Sequence, residues 1–480
     1  MRLRRLAAFA ALFSSLVYAK EVKIHGFVTA VNSPTSFEID EYRITRDATI
    51  VLEMEKDETG AATATFRPED IRVGTEVEIK GDYDDKTGEL QAKSIKVYSD
   101  DTRTIKRTAL IEKVPALAKA ETSWTGTFFA DGQRVTIGPT TQVTYKPNKG
   151  EKKQAKESKE TKEPKEEEVP LASLDQVNLD TFMHYEGVRQ LDGSILASKV
   201  QFQHAELEEG ERKMWSHLDP RVKEPDYSGL RPGELKLQRM KFKLVPSKEA
   251  QEYVERIGQS VIPEHQRSLS ATDPLKIPFR FYLVENKSFN AAAFPNGVVV
   301  VHSGVFGILE NESQLAFVLS HEVTHAIEKH QWREHEYHRK ALTALKVGAI
   351  VGAGFGGSGV MDIANMVEGA IRNGYARSLE NQADRVGMEN ALAAGYDIRE
   401  GPRTWKVVSK KYGDRATNFF WDNHDNNTAR RSYLMAELRN NYSDVDYAKL
   451  KKDSDDFHHV AQLVQDAEQN KKRVKVKVAE

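Results

Sequence analysis

His321-Glu322-Val323-Thr324-His325 sets two imidazoles four residues apart with a carboxylate beside the first, the spacing of a zinc-protease helix. At about 100° per residue, the two histidines lie within about 40° of each other, while Ala316, Leu319, Val323 and Ile327 gather on the opposite side. One face packs and the other presents two imidazoles. The bland alternative is a surface helix rich in histidine, since His330, His335 and His338 follow downstream. That alternative leaves the apolar face unexplained. Asn311 as N-cap, with Gln314 three residues on, gives the helix a defined start and so a defined register.

A catalytic zinc needs three protein ligands and one open position. The chain has no cysteine, so the third donor is a histidine or a carboxylate from elsewhere. Glu380 and Asp384 are four residues apart and share a helix face. Glu380 can then reach the metal while Asp384 accepts the free ring N–H of a liganding histidine. Alone, such a pair is usually an exposed acidic face; beside the His321–His325 motif it becomes a signature. Zinc so held lowers the pKa of bound water, and Glu322 takes the proton and passes it to the leaving amine. Peptide hydrolysis is the expected reaction.

Several elements must position these residues. Lys248 to Ile262 has helical apolar spacing, Ile277 to Val284 reads as a strand, and Val298 to Val301 is a second strand after the Pro295-Asn296-Gly297 turn. Two helices follow, from Glu312 to about His330 and from about Ile371 to Ala394. Between them Ala341 to Gly356 is small and apolar but contains Lys346 and many glycines, which fits a buried helix or a flap over a cleft better than a membrane span.

Phe289-Asn290-Ala291-Ala292-Ala293, the Asn296-Gly297 turn with its valines, Ser320 to His325, and Tyr375 to Asp384 together resemble the HtpX and CAAX prenyl protease family of gluzincins. Within it the chain is most similar to the soluble periplasmic, BepA-like branch, because the multiple membrane spans of other branches are missing. The resemblance covers about Lys248 to Tyr442. It implies that His321, His325 and Glu380 hold one Zn2+, that Glu322 is the general base, and that Asp384 supports a ligand from behind. A further family feature, a downstream His-Pro followed by Arg, is matched at His424 and Arg430 with Asp425 in place of the proline. Either residue is a candidate donor to the oxyanion. His424 is alternatively a latch in zinc's open position, or a loop residue that only lines the cleft. Substrate is expected to add as a strand along an exposed sheet edge at Phe289 to Ala293, since an endopeptidase must grip an extended backbone.

Toward the N-terminus, Arg2, Arg4 and Arg5 precede an apolar run from Leu6 to Val17 and a small-residue site at Ala19, the pattern of a cleaved signal peptide over residues 1–19. Its removal takes three arginines and no acid, moving formal charge from −2 to −5 and arguing against a bulk electrostatic role on nucleic acid or anionic membrane. The mature protein is then periplasmic or secreted, with no integral membrane span and, lacking cysteine, no disulfides.

Residues 20–100 and 101–204 read as two copies of one small β unit. Ile71, Val73, Val77, Ile79 and Gly81 recur as Val177, Leu179, Met183, Tyr185 and Gly187, and Leu90, Ala92, Ile95 and Val97 as Ile195, Ala197, Val200 and Phe202. Both copies skip a beat after the alanine, which predicts a bulge at the same place in two related sheets. The units resemble OB-like barrels, but no run of aromatics interleaves with Lys and Arg. That favours a spacer or an envelope-protein contact over a nucleic-acid or glycan site. Alternating Lys and Glu over residues 148–168 predict a disordered insertion, residues 205–247 a charged linker, and residues 446–480 a charged tail after the 248–445 peptidase domain.

The fold class expected is therefore multidomain: tandem all-β units, then an α+β, mainly helical metalloprotease. The function expected is zinc-dependent endopeptidase action on unfolded or misassembled proteins of the envelope or exterior. A zinc-binding, chaperone-like scaffold with a silent protease site is the rival reading.

Overall fold

The repeat legible in the sequence is a repeat in space. A computed structural model describes residues 20–54, 66–98, 104–121, 123–148, 169–227, 231–337, 375–412 and 427–479. The first unit comprises β1 (Lys20–Phe27), β2 (Ala30–Ser33), β3 (Ser36–Ile39), β4 (Tyr42–Arg46), β5 (Leu52–Met54), β6 (Glu76–Asp84) and β7 (Glu89–Val97). The second comprises β8 (Ile105–Leu110), β9 (Ala118–Ala120), β10 (Ser123–Ala130), β11 (Gln133–Tyr145), β12 (Val169–Pro170), β13 (Thr181–Arg189) and β14 (Ile195–His204). Their strand orders follow one path: β1-β6-β7-β4-β3-β2 with β5 on β7, and β8-β13-β14-β11-β10-β9 with β12 on β11. Each unit buries its own apolar cluster, around Ile79, Leu90 and Ile95 in one and Tyr185, Ile195 and Val200 in the other.

The predicted bulge is present in both. Register slips between Lys80 and Gly81 where β6 pairs β7, and between Glu186 and Gly187 where β13 pairs β14. A Cβ on Gly81 would lie 2.2 Å from the Gln91 carbonyl oxygen, and one on Gly187 2.6 Å from that of Leu196. Only glycine lets the partner backbone come so near.

Residues 205–247 depart from the expected linker. They form α1 (Glu209–His217) and a three-stranded antiparallel sheet of β15 (Pro220–Lys223), β16 (Glu234–Leu237) and β17 (Met240–Lys243). Four of its apolar residues, Met214, Leu218, Leu235 and Leu237, are buried with Phe294, Val298, Val300 and Trp332 of the following domain. The segment is charged because only one side of it is covered, and periodicity within it could not show what covers that side.

The C-terminal domain opens with α2 (Lys248–Ser260) and α3 (Glu264–Ser268), followed by β18 (Arg280–Val284), β19 (Ala291–Ala293) and β20 (Val298–His302). Sheet order is β18-β20-β19, parallel in the first pair and antiparallel in the second. Then come α4 (Glu312–Ile327), α5 (Arg377–Ala393), α6 (Glu400–Tyr412), α7 (Asn427–Asn441) and α8 (Asp455–Ala479). Asn311 caps α4 as expected, its side chain accepting the Gln314 N–H at 3.0 Å. The 446–480 segment is not merely a tail, because α8 buries Phe457, Val460 and Val464 in the domain core. Residues 1–19, 149–168 and 341–356, with their expected signal, insertion and flap, lie outside the described residues. Among the described residues no helix is long and apolar enough to cross a membrane.

Both β units dock on helices of the C-terminal domain through equivalent two-residue hairpin turns, since Ile39 pairs Tyr42 and Ala130 pairs Gln133. Each turn begins with an aspartate at positive φ, Asp40 at 53° and Asp131 at 57°. Asp40 ion-pairs with Arg431 of α7, and Asp131 with Arg385 of α5 at 2.8 Å.

Candidate metal centre

Helices α4 and α5 cross with almost no side chain between them at one point. A Cβ on Gly387 would sit 3.0 Å from both Cα and N of His321, and the Ser320 hydroxyl donates to the Gly387 carbonyl at 2.7 Å. That close approach brings the carboxylate of Glu380 over the two imidazoles. The Nε2 atoms of His321 and His325 are 3.0 Å apart. Glu380 places Oε2 3.4 Å from the first and Oε1 3.6 Å from the second. All three donors fall within 4.8 Å of one another and are buried.

This donor set fits a zinc ion. Two nitrogens each ~2.1 Å from a tetrahedral ion must be ~3.3 Å apart, close to the spacing found, and imidazole with carboxylate is a ligand combination zinc accepts. Burial opposes protonation of His321, but the carboxylates of Asp384 and Glu380 outweigh it and raise its pKa to about 9. A metal held there would have to displace that proton from His321.

Behind the donors stand the groups that fix them. Asp384 Oδ1 lies 2.9 Å from His321 Nδ1. Burial would raise the Asp384 pKa, yet Arg430 and His321 outweigh that and lower it. Arg430 donates to Asp384 through Nε at 2.9 Å and Nη2 at 2.7 Å, and its guanidinium lies 3.6 Å above the Trp405 ring. Arg430, expected as a candidate oxyanion donor, is placed as a buried fork on Asp384 with its Nη2 also 3.6 Å from Glu380 Oε2. His424 lies outside the described residues.

Glu322 is buried beside the donors, and its Oε2 accepts the Ala293 N–H at 2.9 Å. Burial raises its pKa to about 7, with His321 pulling the other way. The edge strand expected over Phe289 to Ala293 is an edge in topology, since β19 is terminal in its sheet. It is not exposed: Phe289, Asn290, Ala291, Ala292 and Ala293 are all buried. The Ala293 carbonyl accepts from Gln331 Nε2 at 3.0 Å, so the side chains of Glu322 and Gln331 already cover this edge.

Sequence reasoning missed His330, Gln382 and Tyr375. His330 Nδ1 is 2.8 Å from His325 Nδ1 and its Nε2 is 2.9 Å from Gln382 Oε1, while Tyr375 stacks on His325 with ring centroids 4.1 Å apart. Burial lowers the His330 pKa to about 3 and keeps the ring neutral. Gln382 sits within the quoted Tyr375 to Asp384 motif, and an amide so close to the ligand Glu380 was the available signal.

Comparison with known proteins finds similarity over the residues that contain this centre. The sequence model of peptidase family M48 matches residues 248–438, and that of a domain of unknown function (DUF5666) matches residues 25–96, which lie in the first β unit. The chain is 32% identical over 148 residues to the beta-barrel assembly-enhancing protease of Escherichia coli K12, covering 28% of this chain and 29% of that protein. It is 31% identical over 142 residues to the protein of the same name from Yersinia pestis, with 28% and 29% covered. It is 27% identical over 193 residues to the mitochondrial metalloendopeptidase OMA1 of Arabidopsis thaliana, with 40% and 38% covered. The chain thus spans about a third of the length of the curated relatives it matches.

Proposed function

We propose, from the match of residues 248–438 to the sequence model of peptidase family M48 and their similarity to the beta-barrel assembly-enhancing proteases, that the chain is a zinc-dependent endopeptidase. The observation that carries this is the convergence of His321, His325 and Glu380 with the Glu322 carboxylate alongside. One zinc per chain would be held by the two Nε2 atoms and the Glu380 carboxylate. Zinc, when bound, supplies a Lewis acid that polarises the scissile carbonyl and acidifies water.

The chain's own residues do the rest. Glu322, with a pKa of about 7, is suited both to take a proton from the attacking water and to return it to the leaving amine. Asp384 fixes the His321 ring by accepting from Nδ1, and the Arg430 fork fixes Asp384 in turn, so Arg430 is a positioning residue in this reading. A substrate backbone pairing at Ala293 would first have to displace Glu322 and Gln331 from its N–H and C=O. The substrates proposed are unfolded or misassembled envelope or secreted proteins, with the enzyme in the periplasm or outside the cell and the β units free to contact an envelope partner. Casein cleavage that chelation abolishes and zinc restores is the expected result. Zinc binding with no cleavage of any unfolded substrate would leave a scaffold with a silent site.

A further inference from the structure

Hydrogen-bond polarity can be followed outward from His325 into the second β unit. Gln382 Nε2 lies 2.9 Å from the Thr108 carbonyl oxygen and 2.9 Å from Asp131 Oδ1. Both are acceptors, so this end of the amide is the NH2 and the other end is oxygen. Gln382 Oε1 accordingly accepts from Arg333 Nη1 at 3.1 Å and from His330 Nε2 at 2.9 Å. His330 Nδ1 in turn lies 2.8 Å from His325 Nδ1 and holds that ring from behind, while His325 Nε2 on the far side of the ring faces Glu380 and His321.

The origin of this chain is not in the peptidase domain. Asp131 is fully buried in the β10–β11 turn, its carboxylate held by Arg385 Nη2 at 2.8 Å and the Tyr185 hydroxyl at 2.8 Å. Its carbonyl accepts from Arg385 Nε at 2.8 Å. The turn is fitted to α5: a Cβ on Gly132 would lie 2.6 Å from the Arg385 Cβ. We propose that Asp131 is a positioning residue for the metal ligand His325, acting through Gln382 and His330, so that the second β unit completes the metal centre. The proposal rests on the metal-site reading above.

Asp131→Asn tests it in the full-length protein. The new side-chain oxygen stays with Arg385 and Tyr185, which are donors, and its NH2 then faces the NH2 of Gln382, which the Thr108 carbonyl and Arg333 keep from turning round. That donor–donor clash displaces Gln382, and His330 loses the acceptor that holds it against His325. The expected result is a zinc dissociation constant raised by about 10–100-fold in a competition titration and a shifted visible spectrum of the cobalt-loaded protein. Gln382→Met, which removes the amide without touching the β unit, should weaken zinc equally. Combined, the two substitutions should cost no more than either alone, because they break one path. Unchanged zinc affinity in Gln382→Met overturns the proposal even if Asp131→Asn does not fold. Losses that add in the double variant, or a lower melting temperature with unchanged zinc binding and cobalt spectrum, also overturn it by reducing Asp131 to a docking residue. His325→Ala is the control for the premise: zinc affinity equal to wild type in that variant would sink the metal-site reading itself.

Discussion

Arg430 grips Asp384 with two parallel hydrogen bonds, at 2.9 and 2.7 Å, in a setting where neither side chain meets solvent. Such a fork fixes the carboxylate plane, and with it the ring of His321. Asp384→Asn should therefore weaken zinc binding by roughly 10–100-fold while the protein still folds. A zinc-competition titration indistinguishable from wild type would return Asp384 to a purely structural role.

Glu322→Gln should keep about one bound zinc and lose activity by about 10²–10⁴-fold, because the residue moves protons and does not hold the metal. The amide can still accept the Ala293 N–H that Glu322 Oε2 accepts at 2.9 Å, so the fold should be undisturbed. Metal analysis beside a peptide-cleavage assay checks this, and loss of zinc with activity would refute the division of labour.

Glu380→Ala should do the opposite and release the metal, since two imidazoles leave the ion under-coordinated. Zinc content equal to wild type after dialysis would mean the third ligand is another residue.

Glu328 follows α4 and accepts the Leu110 N–H of the second β unit at 3.1 Å. Burial pushes its pKa up from the ordinary 4.5 to about 8, with Arg333 pulling the other way. An acid whose pKa is higher in the folded state binds its proton more tightly there, so its contribution to stability falls as pH rises from about 4.5 to about 8. Glu328→Gln should flatten that decline, with the variant gaining melting temperature relative to wild type at pH 8 compared with pH 5. An equal difference at both pH values would show that Glu328 is charged throughout.

Legibility in the sequence followed the range of each interaction. The α4 register, its Asn311 cap and the shared face of His321 and His325 follow from spacing along one helix, where i, i+4 geometry is fixed by the backbone, whereas Glu380, 55 residues beyond His325, joins them only through the pairing of the two motifs. The bulges at Gly81 and Gly187 follow from a slip of one residue repeated in two copies. By contrast, nothing local distinguishes Arg430 as a fork on Asp384 from Arg430 as a free donor, because its partner lies 46 residues away. His330 read as one of a run of histidines, since its burial depends on α5 and the second β unit. Residues 205–247 read as a linker for the same reason: Leu235 and Leu237 find their apolar partners in another domain.

The covering of β19 changes what a backbone arriving there can gain. The N–H and C=O of Ala293 that point away from β20 are already engaged, one by Glu322 and the other by Gln331. An incoming strand would exchange these bonds for its own, and an exchange of like for like yields little net free energy compared with the ~0.5–1.5 kcal/mol typical of a hydrogen bond formed from solvated groups. Retention must then come from side chains seated in neighbouring pockets, so selection among chains would turn on what they carry beside the scissile bond rather than on the main chain all polypeptides share. The same exchange would release Glu322 Oε2 from the Ala293 N–H, leaving both oxygens of that carboxylate without a backbone partner there.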